Sequence, residues 1–167
     1  MDWGRWFRHL FATRADLGRA FPPQALAAIE AAITATEQAH SGEVRFAIEA
    51  SLEPGEVWGG RTPRDRALEV FAGLGVWDTE ANNGVLVYVL LADHDMQIVA
   101  DRGFNGRVAP EEWTAICDAM EVRFRAGDYA AGAVEGVRRV GEVVARHFPL
   151  QPGSRNPDEL PNRPTLL

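Results

Sequence analysis

An apolar run near the middle of the chain has the length and composition of a buried strand. Residues Val85–Leu91 alternate valine with other large apolar side chains, which favours a central strand covered on both faces. Asp93-His94-Asp95 follows as a polar turn, so the segment Ile98–Ala100 is expected to fold back as an antiparallel partner. The loop before the first strand and the end of the second strand should therefore meet at one edge of the sheet.

A second strand and a helix are predicted ahead of this hairpin. Glu43–Glu49 alternates polar and apolar residues, which predicts a strand with one face in water. Thr62-Pro63-Arg64-Asp65 combines a capping residue, a proline and an acidic residue, and this combination is typical of a helix start. The order strand, helix, strand is a βαβ unit, so its two strands should be parallel with a right-handed crossover.

Apolar residues at helical spacing predict three further helices in the body of the chain. One runs from about Pro23 to His40, one opens at Pro110, and one follows Asp128 and closes at Pro149. Residues 51–61 are predicted to be a loop. Together the elements predict an α/β fold: a small mixed β-sheet with helices on both faces, in which the βαβ unit is followed by a β-hairpin and two C-terminal helices.

The two ends differ from the body of the chain. We divide the chain into an amphipathic N-terminal segment, residues 1–20, a domain, residues 21–148, and a proline-rich tail, residues 149–167. The composition of the tail predicts an extended chain without regular structure. In the N-terminal segment the apolar residues recur on one helical face: Trp3, Trp6, Phe7, Leu10 and Phe11. Such a helix either docks on its own domain or contacts a protein partner or a membrane surface.

Composition narrows the functional classes. The net charge of -7 argues against a nucleic-acid partner, which requires a basic surface. The single cysteine, Cys117, excludes an internal disulfide and is expected to be a core thiol. No apolar run approaches the roughly 20 residues of a membrane span, and the N-terminus lacks the features of a signal peptide, so we expect a cytoplasmic protein.

Oxygen-bearing side chains are concentrated at the sheet edge where the hairpin begins and ends. The candidate ligands are Glu43, Asp78, Glu80, Asn82, Asn83 and Asp101. Calcium takes six to eight oxygen ligands in flexible geometry, and a divalent cation would relieve the repulsion between clustered carboxylates. We therefore expect calcium or another divalent cation at this edge. The same residues also have structural explanations, such as turn capping by Asp78 or pairing of Asp101 with Arg102.

No arrangement typical of catalysis stands out. The chain has no lysine, no nucleophile elbow and no phosphate-binding loop, and its histidines are scattered. His40 falls near the candidate edge and is expected to cap the carbonyl groups of a helix end. The favoured interpretation is a non-catalytic binding or accessory domain. The alternatives are a metal-dependent phosphatase, in which the cation polarises phosphoryl oxygens, and a membrane-peripheral adaptor.

Several motifs resemble the TPM domain family over roughly Phe21 to Phe148. They are Ile29 through Glu37 followed by Gly42-Glu43-Val44; Arg66-Ala67 with Phe71 and Leu74; Asn82-Asn83-Gly84-Val85-Leu86; Asp101-Arg102-Gly103; and Phe124 with Gly127-Asp128-Tyr129. The resemblance implies an α/β/α sandwich, cation binding along one sheet edge in some relatives, and weak acid phosphatase activity in some members. It also implies action through protein partners in membrane-protein maintenance or stress response. The ends of the chain resemble those of a short proteobacterial branch of the family.

Overall fold

Four strands form one mixed sheet in the computed structural model, which describes residues 2–167, so Met1 lies outside the description. The helices are α1 (Trp3–Phe11), α2 (Arg14–Ala20), α3 (Pro23–Thr36), α4 (Pro54–Trp58), α5 (Pro63–Gly73), α6 (Pro110–Arg125) and α7 (Tyr129–His147), and the strands are β1 (Glu43–Glu49), β2 (Gly84–Leu90), β3 (Asp95–Ala100) and β4 (Thr165–Leu166). The strand order is β3-β2-β1-β4. Strand β1 is parallel to β2 and β4, whereas β2 and β3 are antiparallel. The predicted mixed sheet with its βαβ unit and hairpin is confirmed.

The central strands bury side chains on both faces of the sheet. Val44, Phe46 and Ile48 of β1 belong to the larger apolar cluster, which α3, α6 and α7 cover. Leu86 and Tyr88 of β2 belong to a second cluster on the opposite face, which α5 covers. Full burial of a large apolar side chain contributes about 1.5–3 kcal/mol, so these two layers hold the sheet between the helices.

Local signals account for the helix that joins β1 to β2. The hydroxyl of Thr62 accepts a hydrogen bond from the backbone amide of Asp65 at 3.1 Å, and the Asp65 carboxylate accepts one from the Thr62 amide at the same distance. This capping box starts α5 at Pro63, as its sequence predicts. Helix α3, by contrast, ends at Thr36 rather than at His40, because the chain turns there and Glu37 accepts the amide of Val44.

The prediction that one face of β1 is in water is wrong. Glu43, Arg45 and Glu49 are buried, with relative exposures of 0%, 5% and 8%. Glu49 receives two hydrogen bonds of 2.9 Å from the guanidinium group of Arg66 and one of 2.6 Å from the hydroxyl of Tyr88. The alternating pattern of β1 therefore reflects a face on which charged groups are paired within the fold, not a face in contact with solvent.

The tail is docked along β1, so the prediction that it lacks regular structure is wrong at its end. Residues Thr165 and Leu166 form β4 beside Ala47 and Ile48, and the Leu167 amide donates to the Ile48 carbonyl at 2.9 Å. The outer edge of a sheet presents unpaired backbone groups, and the tail satisfies part of this edge.

Two short helices lie in segments for which no helix was predicted. Residues 51–61 include α4, which starts at Pro54, and α2 follows α1 directly with a capping box between Thr13 and Asp16. The predicted N-terminal helix is confirmed as α1. No helix within residues 2–167 is both long and apolar enough to cross a membrane.

Candidate functional site

Glu43, Gly84 and Asp101 lie side by side across three strands. Glu43 pairs with Gly84 in the parallel register of β1 and β2. The amide of Asp101, one residue beyond β3, donates to the carbonyl of Gly84 at 2.9 Å. Because residues opposite one another in a sheet point to the same face, the side chains of Glu43 and Asp101 leave the sheet on one side, with Gly84 between them.

A backbone carbonyl covers the gap that Gly84 leaves. A Cβ atom at Gly84 would lie 2.0 Å from the carbonyl oxygen of Val76, which is closer than any real contact. The absence of a side chain at this position therefore lets the loop 76–83 cross the edge of the sheet. It also places the Val76 carbonyl oxygen above the residue that separates the two carboxylates.

Three side chains at this edge each present a buried oxygen that accepts no hydrogen bond within residues 2–167. They are Oε1 of Glu43, Oδ1 of Asn83 and Oδ2 of Asp101. The other polar atoms of these side chains form hydrogen bonds. The Leu160 amide donates to Oε2 of Glu43 at 3.1 Å, Nδ2 of Asn83 donates to the Ser41 carbonyl at 3.1 Å, and the Arg102 amide donates to Oδ1 of Asp101 at 2.7 Å. A buried acceptor without a partner is unfavourable by about 1–3 kcal/mol, so three at one edge call for an explanation.

The other predicted ligands lie on the surface of the loop. Asp78 and Glu80 are exposed, and the amide of Glu80 donates to the carboxylate of Glu159 at 3.1 Å. Asn82 adopts a left-handed backbone with φ of 53°, and its side-chain oxygen accepts a hydrogen bond from Nε of Arg102 at 2.7 Å. The six candidates therefore divide into three buried residues at the strand ends and three residues on the loop that crosses them.

His40 is buried next to this edge. The prediction that His40 caps the carbonyl groups of a helix end is wrong, because α3 ends at Thr36. The Nδ1 atom of His40 instead lies 3.0 Å from the carbonyl oxygen of Gly42, in the turn that precedes β1. Burial lowers the pKa of His40 to about 4, so its ring is neutral at pH 7. The side chain of Asn156 donates to the carbonyls of both His40 and Gly42 at 2.9 Å, which ties the tail to the same turn.

The tail and the end of α3 bring further carboxylates that the sequence interpretation missed. Glu37 is buried, and desolvation together with the charge of Glu43 raises its pKa to about 7. Burial also raises the pKa of Glu43, and the nearby charges of Glu159 and Asp158 act in the same direction. Asp158 and Glu159 are visible in the sequence, but they lie more than a hundred positions from Glu43, and no local pattern links them.

The donor set at the edge combines carboxylate and neutral oxygens in equal number. Within residues 2–167 no group of three or more His, Cys, Asp or Glu side chains is arranged to hold a metal ion. The edge instead combines two carboxylates, from Glu43 and Asp101, with the amide oxygen of Asn83 and the carbonyl oxygen of Val76. Mixed sets of carboxylate, amide and carbonyl oxygens are typical of calcium coordination.

Cys117 lies away from this edge, on α6. It is partly buried and packs against the larger apolar cluster. Burial and the neighbouring charge of Asp95 raise the pKa of its thiol to about 12. The thiol is therefore protonated at neutral pH and is not a reactive nucleophile.

The fold and the site together define a class of protein: an α/β/α domain whose βαβ unit and hairpin bring three loops to one sheet edge. The chain belongs to the TPM domain family, whose sequence model matches residues 15–143. Among solved structures it is similar to the NMR structure of the BA42 protein from the psychrophilic bacterium Bizionia argentinensis, with 31% identity, a TM-score of 0.74, and coverage of 86% of this chain and 93% of that one.

A second solved structure is similar to part of the chain. It is the solution NMR structure of the N-terminal domain of a protein from P. gingivalis, with 25% identity, a TM-score of 0.54, and coverage of 72% of this chain and 76% of that chain. Among the curated proteins, none matches this chain.

Proposed function

We propose that this chain is a non-catalytic binding domain that holds a divalent cation, calcium in the first instance, at the edge formed by Glu43, Asn83 and Asp101. The observation that carries the proposal is the set of three buried oxygens without a hydrogen-bond donor. A cation satisfies oxygen lone pairs that no N–H or O–H group reaches, and it offsets the charge of the carboxylates.

The loop that crosses the edge supplies the remaining oxygens in this proposal. The carbonyl oxygen of Val76 faces the position of Gly84, and the exposed carboxylates of Asp78 and Glu80 are free to turn towards the ion. Asn82 joins the set on release of its hydrogen bond with Arg102. Calcium suits such a site better than magnesium, because it accepts six to eight ligands in irregular geometry.

The proposed role of the cation is to order a binding surface. An ion held by the ends of β1 and β3 and by the loop 76–83 would join three segments that are separate in the sequence, and a protein partner would then contact the ordered loop. The family resemblance implies that such a partner would be a protein involved in membrane-protein maintenance or stress response.

The experiment is a calcium titration of chelator-treated full-length protein, followed by amide NMR, with magnesium as the comparison ion. We expect saturable shifts confined to residues 40–43, 76–84 and 101–106. The variant Asp101→Asn, which keeps the shape of the side chain, should weaken binding at least tenfold. Asp118→Asn, on the exposed side of α6, is the matched control and should bind as the wild type does.

The outcome that contradicts the proposal is the lack of saturable shifts at millimolar calcium or magnesium. Equal affinity in the wild type and in Asp101→Asn would also contradict it, because the ion would then be bound elsewhere. The metal-loaded protein should in addition be assayed with p-nitrophenyl phosphate. Hydrolysis that depends on the metal and is lost in Asp101→Asn would replace the non-catalytic proposal with the alternative of a metal-dependent phosphatase.

A further inference from the structure

Helix α1 docks on the domain through its polar face. The guanidinium group of Arg5 pairs with Asp93 at 2.8 Å. His9 is buried at 2% exposure, its Nδ1 accepts the amide of Leu52 at 2.9 Å, and its Nε2 lies 3.1 Å from Asp93. Arg8 donates to the carbonyl of Ala92 at 3.2 Å. An ordinary surface helix buries its apolar face instead, so α1 is inverted.

The inversion leaves a large apolar surface in solvent, which we name the aromatic ridge: Trp3, Phe7, Leu10 and Phe11 of α1 with Trp58 of α4. Their relative exposures are 57%, 49%, 44%, 71% and 55% in that order. The rings of Trp3 and Trp58 are 5.8 Å apart, and those of Phe7 and Phe11 stack at 6.4 Å. Only Trp6 among the aromatic residues of α1 turns towards the second apolar cluster. A contiguous exposed apolar surface of this kind marks an interaction site.

The size of the aromatic ridge argues against a second copy of the chain as its occupant. An aromatic side chain buries about 150–250 Å² in full, so five large residues at about half exposure present on the order of 500 Å². A stable protein interface needs about 800 Å² from each partner. The ridge is smaller than such an interface, but insertion into a bilayer has no corresponding minimum area, because each buried apolar group contributes by itself.

The charges near the aromatic ridge favour an anionic membrane as its binding partner. The chain carries a net charge of -7, yet Trp3 through Ala15 contains no Asp or Glu and includes three arginines. Arg14 is exposed, whereas Arg8, although exposed, has its guanidinium group 3.8 Å from Asp93. Glu56, on the same short helix as Trp58, is paired with Arg61 at 2.9 Å. The stretch Trp3–Ala15 is therefore basic on an acidic protein, and arginine side chains next to a bilayer are attracted to anionic lipid headgroups.

We propose that the aromatic ridge is a membrane-docking surface, which enters the interfacial region of an anionic bilayer while Arg14 contacts lipid phosphates. Tryptophan and phenylalanine rings suit the boundary between headgroups and acyl chains. The polar face of α1 stays bound to Asp93, so docking requires no rearrangement of the domain. The inference is independent of the cation site, which lies at a different edge of the sheet.

The test is co-sedimentation of full-length protein with vesicles of phosphatidylcholine and phosphatidylglycerol, compared with vesicles of phosphatidylcholine alone. We expect binding to the anionic vesicles, with a blue shift of tryptophan fluorescence. The double variant Phe7→Ser with Phe11→Ser should lose at least tenfold in partitioning while keeping its thermal midpoint, because both side chains are exposed. Val122→Ser removes an apolar residue of 67% exposure on α6, outside the ridge, and should bind as the wild type does.

Absence of pelleting by the wild type, or equal pelleting by the wild type and the double variant, would overturn the proposal. Equal binding to both kinds of vesicle, unchanged in Arg14→Glu, would overturn the part assigned to Arg14. Sedimentation velocity tests the alternative that a second copy of the chain covers the ridge. A concentration-dependent dimer that is lost in the double variant, together with no vesicle binding, would favour this alternative and overturn the membrane proposal.

Discussion

The backbone amide of Leu160 donates a hydrogen bond of 3.1 Å to Oε2 of Glu43, a residue 117 positions earlier in the chain. This bond connects the docked tail to the first residue of β1, where the candidate cation site begins. Glu159, the preceding residue, reaches the amide of Glu80 on the loop that crosses the same edge. The tail and the candidate site are therefore parts of one structure, and changes in the tail should affect the site.

Replacing Arg45 should detach the tail. The buried guanidinium group of Arg45 donates to the carbonyls of Pro161 and Arg163 and, at 2.7 Å, to the hydroxyl of Thr165. The variant Arg45→Ala leaves these acceptors without a donor and removes a positive charge close to Glu37. We expect a loss of roughly 2–4 kcal/mol in the free energy of unfolding, measured by urea denaturation, and faster proteolysis within residues 150–164.

The control for Arg45 is Arg139→Ala. Arg139 forms an exposed ion pair with Glu135 one helical turn away, and such pairs contribute about 0.3–0.5 kcal/mol. A similar loss of stability in both variants would show that Arg45 acts as an ordinary surface arginine and does not hold the tail.

The stability of the domain should fall as the pH rises through neutrality. Burial and the charge of Glu43 raise the pKa of Glu37 from 4.5 to about 7, so the folded state favours the protonated carboxyl. Its contribution is fully present below about pH 4.5 and is lost as the pH rises through about 7. A shift of this size corresponds to on the order of 3 kcal/mol. Urea unfolding at a series of pH values between 4 and 9 measures it.

The matched variant for this prediction is Glu37→Gln. Glutamine keeps an oxygen to accept the Val44 amide but cannot ionise, so the decline between pH 4.5 and 7 should become shallower. Glu30→Gln, at an exposed position of the same helix, should leave the wild-type profile in place. A profile for Glu37→Gln as steep as that of the wild type would assign the pH dependence to other groups.

Two glycine substitutions should have opposite effects. Gly84→Ala places a methyl group 2.0 Å from the carbonyl oxygen of Val76, so the loop 76–83 must move; we expect a loss of roughly 2 kcal/mol or more and weaker cation binding. Gly18→Ala meets no atom within 4 Å in the middle of α2 and should stabilise by about 0.5–1 kcal/mol. Thermal unfolding of both variants checks whether stability falls or rises as expected. An unchanged stability of Gly84→Ala would contradict the close contact with the Val76 carbonyl oxygen.

Removing Asp93 should release α1. Burial alone would raise the pKa of this carboxyl, but hydrogen bonds from Arg5 and His9 lower it below its usual value. Asp93→Ala leaves the buried His9 ring and Arg5 without their acidic partner, and loss of a buried partner costs about 3–5 kcal/mol. Trypsin should then cleave after Arg5 and Arg8 faster than in the wild type, as followed by mass spectrometry. Asp118→Ala should leave the cleavage rate unchanged, and unchanged cleavage in Asp93→Ala would exclude Asp93 as the anchor of α1.

Elements whose signals are local were predicted well from the sequence. The hairpin of β2 and β3 follows from an apolar run, a polar turn and a second short run, and α5 starts where Thr62 and Asp65 form their capping box. The bounds of β1 are those predicted, Glu43–Glu49. The burial of the polar residues of β1 was not predicted, because alternation alone does not distinguish a polar side chain in water from one paired with Arg66 or with the tail.

The candidate site was predictable only as far as the directions of the strands determine it. The order of the elements predicts that β1 is parallel to β2 and that β3 returns antiparallel, so that the start of β1 and the end of β3 lie at one edge. The pairing of Glu43 with Gly84 comes from the structure. The position of Glu159 against the amide of Glu80, and that of Asp158 near Glu37, depends on where an irregular tail of 19 residues, 149–167, settles. No periodic pattern in the sequence indicates where this tail lies.

The class of fold, the directions of the three main strands and the amphipathic character of α1 were all predictable from the sequence. These properties arise from spacing, caps and turns within a few residues of one another. The outward orientation of the apolar face of α1 and the docking of the tail on β1 are seen only in the folded structure. Both outcomes depend on contacts between distant residues, Arg5 with Asp93 and Arg45 with Thr165. Their free energy is set by burial and pairing in the assembled fold, which a local pattern does not contain.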